Sequence, residues 1–266
     1  MLNFEEICRQ VVDLAQTVGD FIYNERLSSQ PLLTEEKGRN DFVTHFDKLS
    51  ERLLVESLSK ILPDSGFVTE ENSAVSNGEA YTWIIDPIDG TTNFIHGIAP
   101  FCISIALKYN QEIVIGVIYE MVNKETFYAW KGSLAYLNGK EISVSISDKV
   151  ANSLIATGFS LADYGDANQF FNTLLYFSKN SHGLRRSGSA AANLAYLACG
   201  RLDGFYKLRL KPWDVAAGIL IIKQAGGVVT DFTGGDKYLF GGELVSTNGL
   251  IHKEMLHLIN NNFNDE

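Results

Sequence analysis

The chain has 266 residues, of which 45% are hydrophobic and 20% charged, the balance of an ordinary soluble globular protein with material for a sizeable core. Its net charge of −10 leaves no basic surplus to displace counterions from a nucleic-acid polymer, so a protein of this charge that handles phosphate must bring positive charge to the site locally, as bound metal does. No apolar run approaches the roughly 20 residues that span a bilayer, and the acidic start Met1-Leu2-Asn3-Phe4-Glu5-Glu6 lacks the basic and apolar regions of a signal peptide.

From Phe4 to about Leu27, apolar residues recur at Ile7, Val11, Leu14, Ala15, Val18, Phe21 and Ile22, a spacing that predicts an amphipathic helix. In residues 30–47, Lys37-Gly38-Arg39-Asn40 reads as the turn of a hairpin between two short strands. A second helix is expected from about Asp47 to Ile61, with Leu49, Leu53, Leu54, Leu58 and Ile61 inward and Pro63 closing it. Gly66-Phe67-Val68-Thr69 is a short strand ending in Glu70-Glu71, and polar residues 72–80 form a loop.

The apolar, β-favouring run Tyr81 to Ile85 follows, and Pro87, which cannot donate to a ladder, predicts that this strand stops at Asp86. Residues 101–147 then read as an antiparallel meander, with strands Phe101–Lys108, Ile113–Tyr119, Thr126–Trp130 and Glu141–Val144. Beyond Leu154 strands alternate with helices. Strands are expected at Ile155–Thr157, Gly204–Leu208, Val228–Val229 and Leu244–Val245, and helices at Ala167–Ser178, Ser189–Cys199, Val215–Gln224 and Ile251–Ile259. No linker, repeat or low-complexity tract interrupts the chain. Residues 1–266 therefore read as one α/β domain with mixed sheets, made of two tightly joined halves of about 1–150 and 151–266. Cys8, Cys102 and Cys199 lie far apart without ligand spacing, and are expected to be reduced core residues of a cytoplasmic protein.

The chemistry concentrates in residues 83–94. Asp86 and Asp89 flank a Pro-Ile turn, close enough to share one cation, and two such carboxylates are best tolerated when a hard divalent ion bridges them. The Ile88 carbonyl is a further candidate ligand, while Gly90, Thr91, Thr92 and Asn93 open a helix next to the pair, an arrangement suited to phosphate. Glu70 and Asp214 are the other acids placed at element ends. With Asp86 and Asp89 they make an all-oxygen set that suits Mg²⁺, and no His/Cys cluster has zinc spacing.

Trp83-Ile84-Ile85-Asp86-Pro87-Ile88-Asp89-Gly90-Thr91-Thr92-Asn93-Phe94, Thr69-Glu70-Glu71 and Lys211-Pro212-Trp213-Asp214-Val215-Ala216-Ala217-Gly218 together resemble the motifs of the inositol monophosphatase family, metal-dependent and lithium-sensitive phosphatases. The likeness runs from Lys37 to the Gly226-Gly227 turn and Asp231-Phe232-Thr233-Gly234-Gly235. It implies an αβαβα sandwich, two or three Mg²⁺ per subunit, a homodimer, and hydrolysis of a small polyol or sugar phosphate by two-metal activation of water, of the inositol-1-phosphatase type. By the same likeness Glu70, Asp86, Asp89, Asp214 and the Ile88 carbonyl bind metal. Glu70, Thr91 and Asp47 serve catalysis, with Thr91 supported by Asp47 positioning the water. Gly90, Thr91, Thr92, Gly188, Ser189, Ala190, Lys207 and Asp214 face substrate, and Glu71 stays behind the ligands.

One position departs from the family. Inositol monophosphatases usually carry an acid seven residues before the aspartate of the Trp-Asp motif, and here Lys207 stands there. Lys207, Arg209 and Lys211 alternate, so in a strand they share one face. Facing the pocket, they suit a second anionic group; facing away, they form a solvated or dimer-facing edge. The alternatives to an inositol phosphatase are accordingly fructose 1,6-bisphosphatase, 3′(2′),5′-bisphosphate nucleotidase, histidinol phosphatase, which Lys207 disfavours, a phosphatidylinositol phosphate phosphatase, or a regulatory binding protein on the same fold.

Overall fold

The computed structural model describes residues 2–28, 34–38, 41–72, 74, 78–158 and 167–264. Helices α1 (Phe4–Ser28) and α2 (His45–Ile61) cover one face of a seven-stranded sheet whose order is β3 (Gly66–Thr69), β4 (Tyr81–Asp89), β5 (Cys102–Tyr109), β6 (Glu112–Glu120), β7 (Glu125–Trp130), β8 (Ala135–Leu137) and β9 (Lys140–Ile142). Strand alternation sets the two faces. Trp83, Ile85, Ile103, Ile105 and Val117 pack under α1 and α2, whereas Ile84, Ala106, Ile118 and Phe127 point to the other side.

That other side meets α5 (Ala190–Ala198) and α6 (Pro212–Gln224), which are apolar almost all round because a sheet lies on both sides of them. At Gly116 of β6, a Cβ would come within 2.6 Å of the Ala217 carbonyl oxygen, so glycine is what lets α6 lie this close to the sheet. Beyond them is the second sheet, in the order β11 (Gly183–Arg185), β10 (Leu154–Gly158), β12 (Gly204–Leu208), β14 (Glu243–Thr247), β13 (Val228–Thr230). Its outer face carries α4 (Ala167–Asn180) and α7 (His252–Asn264), packed through Phe177, Tyr206, Val245 and Met255. The layers run α, β, α, β, α, as the family likeness implies. Both sheets are mixed: β3 and β4 are parallel while neighbours from β4 to β9 are antiparallel, and β10 is parallel to β11 and β12 while β14 is antiparallel to both β12 and β13.

The sequence-based elements are found within a few residues, with three corrections. The strand expected to stop at Asp86 runs through Pro87 to Asp89. Asp86 faces Ser104 and Asp89 faces Cys102, so Pro87 and Ile88 oppose one residue of β5, in a bulge that accommodates the missing N–H. Asp86 and Asp89 thus flank a bulge rather than a turn, and the Ile88 N–H donates to Asp86 Oδ1 at 3.0 Å. The second helix starts at His45 rather than Asp47, because Thr44 and Asp47 form a reciprocal cap: Phe46 N–H donates to Thr44 Oγ1, and Thr44 N–H to Asp47 Oδ2. The last meander strand is a hairpin of β8 and β9, turned by Asn138 and Gly139, both at positive φ. β1 (Thr34–Gly38) and β2 (Asp41–Thr44) pair antiparallel, as expected of the two short strands, and Arg39 and Asn40 of the expected turn lie outside the described residues. Phe21, expected inward, is 44% exposed, while Cys8 and Cys102 are buried and Cys199 is half-buried.

Candidate active site

Four chain segments converge at one edge of the central α-layer. Parallel pairing of β3 with β4 sets Thr69 beside Ile85, so Glu70 follows next to Asp86. The bulge turns Asp89 towards the start of α5, where its Oδ2 accepts the Ser189 hydroxyl at 2.5 Å and the Ala191 N–H at 2.6 Å. Asp214 sits in the first turn of α6, its Oδ2 accepting the Lys211 N–H at 2.9 Å. One carboxylate oxygen from each of Asp86, Asp89 and Asp214 lies within 4.8 Å of the others.

The three charges are crowded and poorly solvated. Burial, then the charges of Glu70, Asp89 and Asp214, pushes the Asp86 carboxyl well above the ordinary carboxylate range. Burial and the neighbouring Asp214 push Asp89 up to about 6, against the lowering influence of Ser189, Lys207 and Ala191. Asp214 is raised by burial, and Lys207 and Lys211 oppose the rise. A divalent cation relieves such a cluster directly. An all-oxygen donor set of this charge fits Mg²⁺, with Asp86, Asp89 and Asp214 as the residues that can hold it and Glu70 beside Asp86 as a further carboxylate.

Next to the carboxylates, α3 (Thr91–His96) starts after Gly90, whose φ of 96° favours glycine. Thr91 Oγ1 lies 3.2 Å from Asp47 Oδ1 and 3.0 Å from the Ile88 carbonyl oxygen. Burial raises the Asp47 carboxyl, and the Thr44 hydrogen bonds oppose it. Thr92 is exposed on the same turn. Residues 187–190 are drawn in by Asn93, whose side-chain amide donates to the carbonyls of Pro100 at 2.8 Å and Ser187 at 2.7 Å. Gly188 and Ser189 crowd Gly90 so closely that an added Cβ there would meet Ser189 Cβ at 3.3 Å and the Gly188 oxygen at 3.4 Å.

The basic trio splits. Strand β12 ends at Leu208, and Arg209 takes a positive φ of 58°, so the shared face expected of Lys207, Arg209 and Lys211 does not form. Lys207 is half-buried and acts on Asp89 and Asp214, whereas Arg209 and Lys211 are exposed and line a cavity of about 840 Å³ with Trp213 and Phe240.

Sequence reasoning missed most of the support that α2 supplies. Asp47, Ser50 and Glu51 are buried on one face of the helix, at i, i+3 and i+4. Asp47 meets Thr91, the Ser50 hydroxyl donates to the Pro87 carbonyl at 3.1 Å, and Glu51 Oε2 accepts the Glu71 N–H at 2.8 Å. One helix face thereby fixes the threonine, the bulge and the turn carrying Glu70. The signal was in the sequence, as polar residues at helical spacing beside an apolar stripe.

A sequence model described as the inositol monophosphatase family matches residues 3–265. The chain is 37% identical over 246 residues to a protein of Salmonella typhimurium named Nus factor SuhB, covering 92% of each. It is 37% identical over 250 residues to the inositol-1-monophosphatase of Mesorhizobium japonicum, covering 94% of each. The crystal structure of the extragenic suppressor protein suhB from Bartonella henselae superposes with a TM-score of 0.90 at 36% identity, over 94% of this chain and 97% of that one. With these matches along nearly its whole length, and with phosphatases among its relatives, the chain belongs to the inositol monophosphatase family.

Proposed function

We propose that the protein is a Mg²⁺-dependent phosphomonoesterase acting on a small polyol or sugar phosphate by the two-metal chemistry of the inositol-1-phosphatase type. The observation that carries this reading is the cluster of buried Asp86 and Asp89 with half-buried Asp214, three like charges in want of a cation at the point where two helix starts and a bulged strand meet. Glu70, Asp86, Asp89, Asp214 and the Ile88 carbonyl would hold two or three ions. Mg²⁺ bound there supplies the positive charge that activates a water and offsets the charge of the phosphate oxygens.

The chain's own residues do the positioning. The Thr91 hydroxyl orients the water in line with the ester bond, and Asp47 Oδ1, 3.2 Å away, takes the proton relayed through it. As the new phosphorus–oxygen bond forms, the ester bond breaks and the alcohol leaves with a proton from solvent. The phosphate rests against Gly90, Thr91 and Thr92. Gly188, Ser189, Ala190, Lys207 and Asp214 line the side of the leaving group. We place the enzyme in the cytoplasm as a homodimer whose substrate is a small phosphate ester. Among the described residues no helix is long and apolar enough to cross a membrane.

Phosphate release from myo-inositol 1-phosphate, fructose 1,6-bisphosphate, adenosine 3′,5′-bisphosphate, histidinol phosphate and glycerol 2-phosphate, with Mg²⁺ and with or without Li⁺, tests the reading. Mg²⁺-dependent, Li⁺-inhibited turnover of at least one is expected. Absence of turnover on all five would favour a second reading, a regulatory protein that keeps the fold, to which the name Nus factor carried by the Salmonella typhimurium relative lends support.

A further inference from the structure

On β12 the side chains alternate between two cores. Phe205 packs between the sheets, and Tyr206 and Leu208 pack on the outer face with α4 and α7. Lys207 falls on the side of Phe205, the side covered by α5 and α6, whose first turns hold Asp89 and Asp214. It is paired across β10 with Gly158, and a Cβ on that glycine would come within 3.1 Å of Lys207 Cδ. The missing side chain leaves the channel along which the lysine stem runs. Arg209 and Lys211 lie beyond the strand end, so Lys207 is the cation of the three that is built into the sheet.

The ammonium and a divalent ion compete for the same partners. With the site empty of metal, Lys207 offsets the charges of Asp89 and Asp214. An ion held by those carboxylates repels the ammonium and takes its counter-charge, and a half-buried ammonium without a partner is costly. We infer that Lys207 forms a subsite for a second anionic group, a phosphate or carboxylate on the non-reacting part of the substrate, so that bis-anionic esters are preferred over uncharged polyol monophosphates. This rests on the phosphomonoesterase reading and names the substrate class of that site.

Three esters read out the subsite: glycerol 2-phosphate has no second anion, 2-phosphoglycerate adds a carboxylate, and fructose 1,6-bisphosphate adds a phosphate. In the wild type, kcat/KM for at least one bis-anionic ester should exceed that for glycerol 2-phosphate. Lys207→Met should lower this ratio about tenfold or more, the scale of one hydrogen bond to a charged group, and Lys207→Arg should retain most of it. Which ester responds identifies the anion. Calorimetric titration of the metal-free protein gives a second readout: Lys207→Met should bind Mg²⁺ several-fold more tightly, because the tethered cation no longer competes. An unchanged ester ratio, or an unchanged Mg²⁺ affinity, overturns the inference. If the wild type hydrolyses none of the esters, the phosphatase reading fails separately; equilibrium binding of the same esters in Mg²⁺ then decides, and equal affinities in wild type and Lys207→Met overturn the subsite.

Discussion

Two buried aspartate sites in this molecule answer the cost of a carboxylate in opposite ways. Asp231, after β13, is wrapped by its own turn: its Oδ1 accepts the Thr233 N–H, the Thr233 hydroxyl and the Gly235 N–H, and its Oδ2 accepts the Lys237 N–H. Burial pushes its carboxyl up, but these donors outweigh it and hold the group below its ordinary range. Asp89 also accepts two short hydrogen bonds, yet its carboxyl is raised to about 6, because it is buried with Asp214 beside it. One carboxylate is satisfied by its own chain, and the other is left in want of a cation. That difference separates a structural aspartate from a ligand, although both sit at strand ends close to glycines.

The comparison breaks hardest under substitution. Asp89→Asn should lower turnover on the order of 10³-fold, while leaving the metal-free protein at least as heat-stable as the wild type, since a repelling charge is removed. Phosphate release and thermal melting read the two effects. Asp231→Ala should do the reverse. Loss of one acceptor for four donors costs about 2 kcal/mol of stability, seen as a melting temperature lower by several degrees, with turnover per folded molecule unchanged.

The same contrast predicts a pH dependence. A carboxyl whose folded pKa is raised binds its proton more tightly when folded, so its contribution is favourable at low pH and is lost as pH rises from its ordinary value of 3.8 through about 6. Metal-free protein should therefore melt lower at pH 7 than at pH 5, and saturating Mg²⁺ at pH 7 should reverse the loss. Asp231 contributes with the opposite sign, losing stability only as pH falls through its depressed value. A metal-free melting temperature that rises from pH 5 to pH 7 would mean that groups other than this cluster govern stability in that range. The smallest effect concerns the scaffold: Ser50→Ala removes one hydrogen bond to the bulge at Pro87, and should cost about 1 kcal/mol and a few-fold in turnover, measured by denaturant unfolding and phosphate release.

Much of this was legible in the sequence because local rules decide it. Helical spacing gave α1 and α2, turn residues gave the meander, and motif order brought Glu70, Asp86, Asp89 and Asp214 together as candidates. What was not legible depends on partners distant in sequence. Pro87 reads as a strand end until β5 is present to bridge a bulge, and Ser50 and Glu51, outside the apolar stripe of α2, acquire their roles only when β4 and the Glu71 turn pack against them. Lys207, Arg209 and Lys211 read as one face until the backbone turns at Arg209. Periodicity reports what an isolated element would bury, and a site is made where elements interrupt one another.

The most direct measurement is a calorimetric Mg²⁺ titration of the metal-free wild type and of Asp89→Asn at neutral pH. The account predicts Mg²⁺ binding by the wild type that is lost or weakened by orders of magnitude in the variant. Equal binding by both, or none by the wild type, would contradict the claim that this cluster is a cation site.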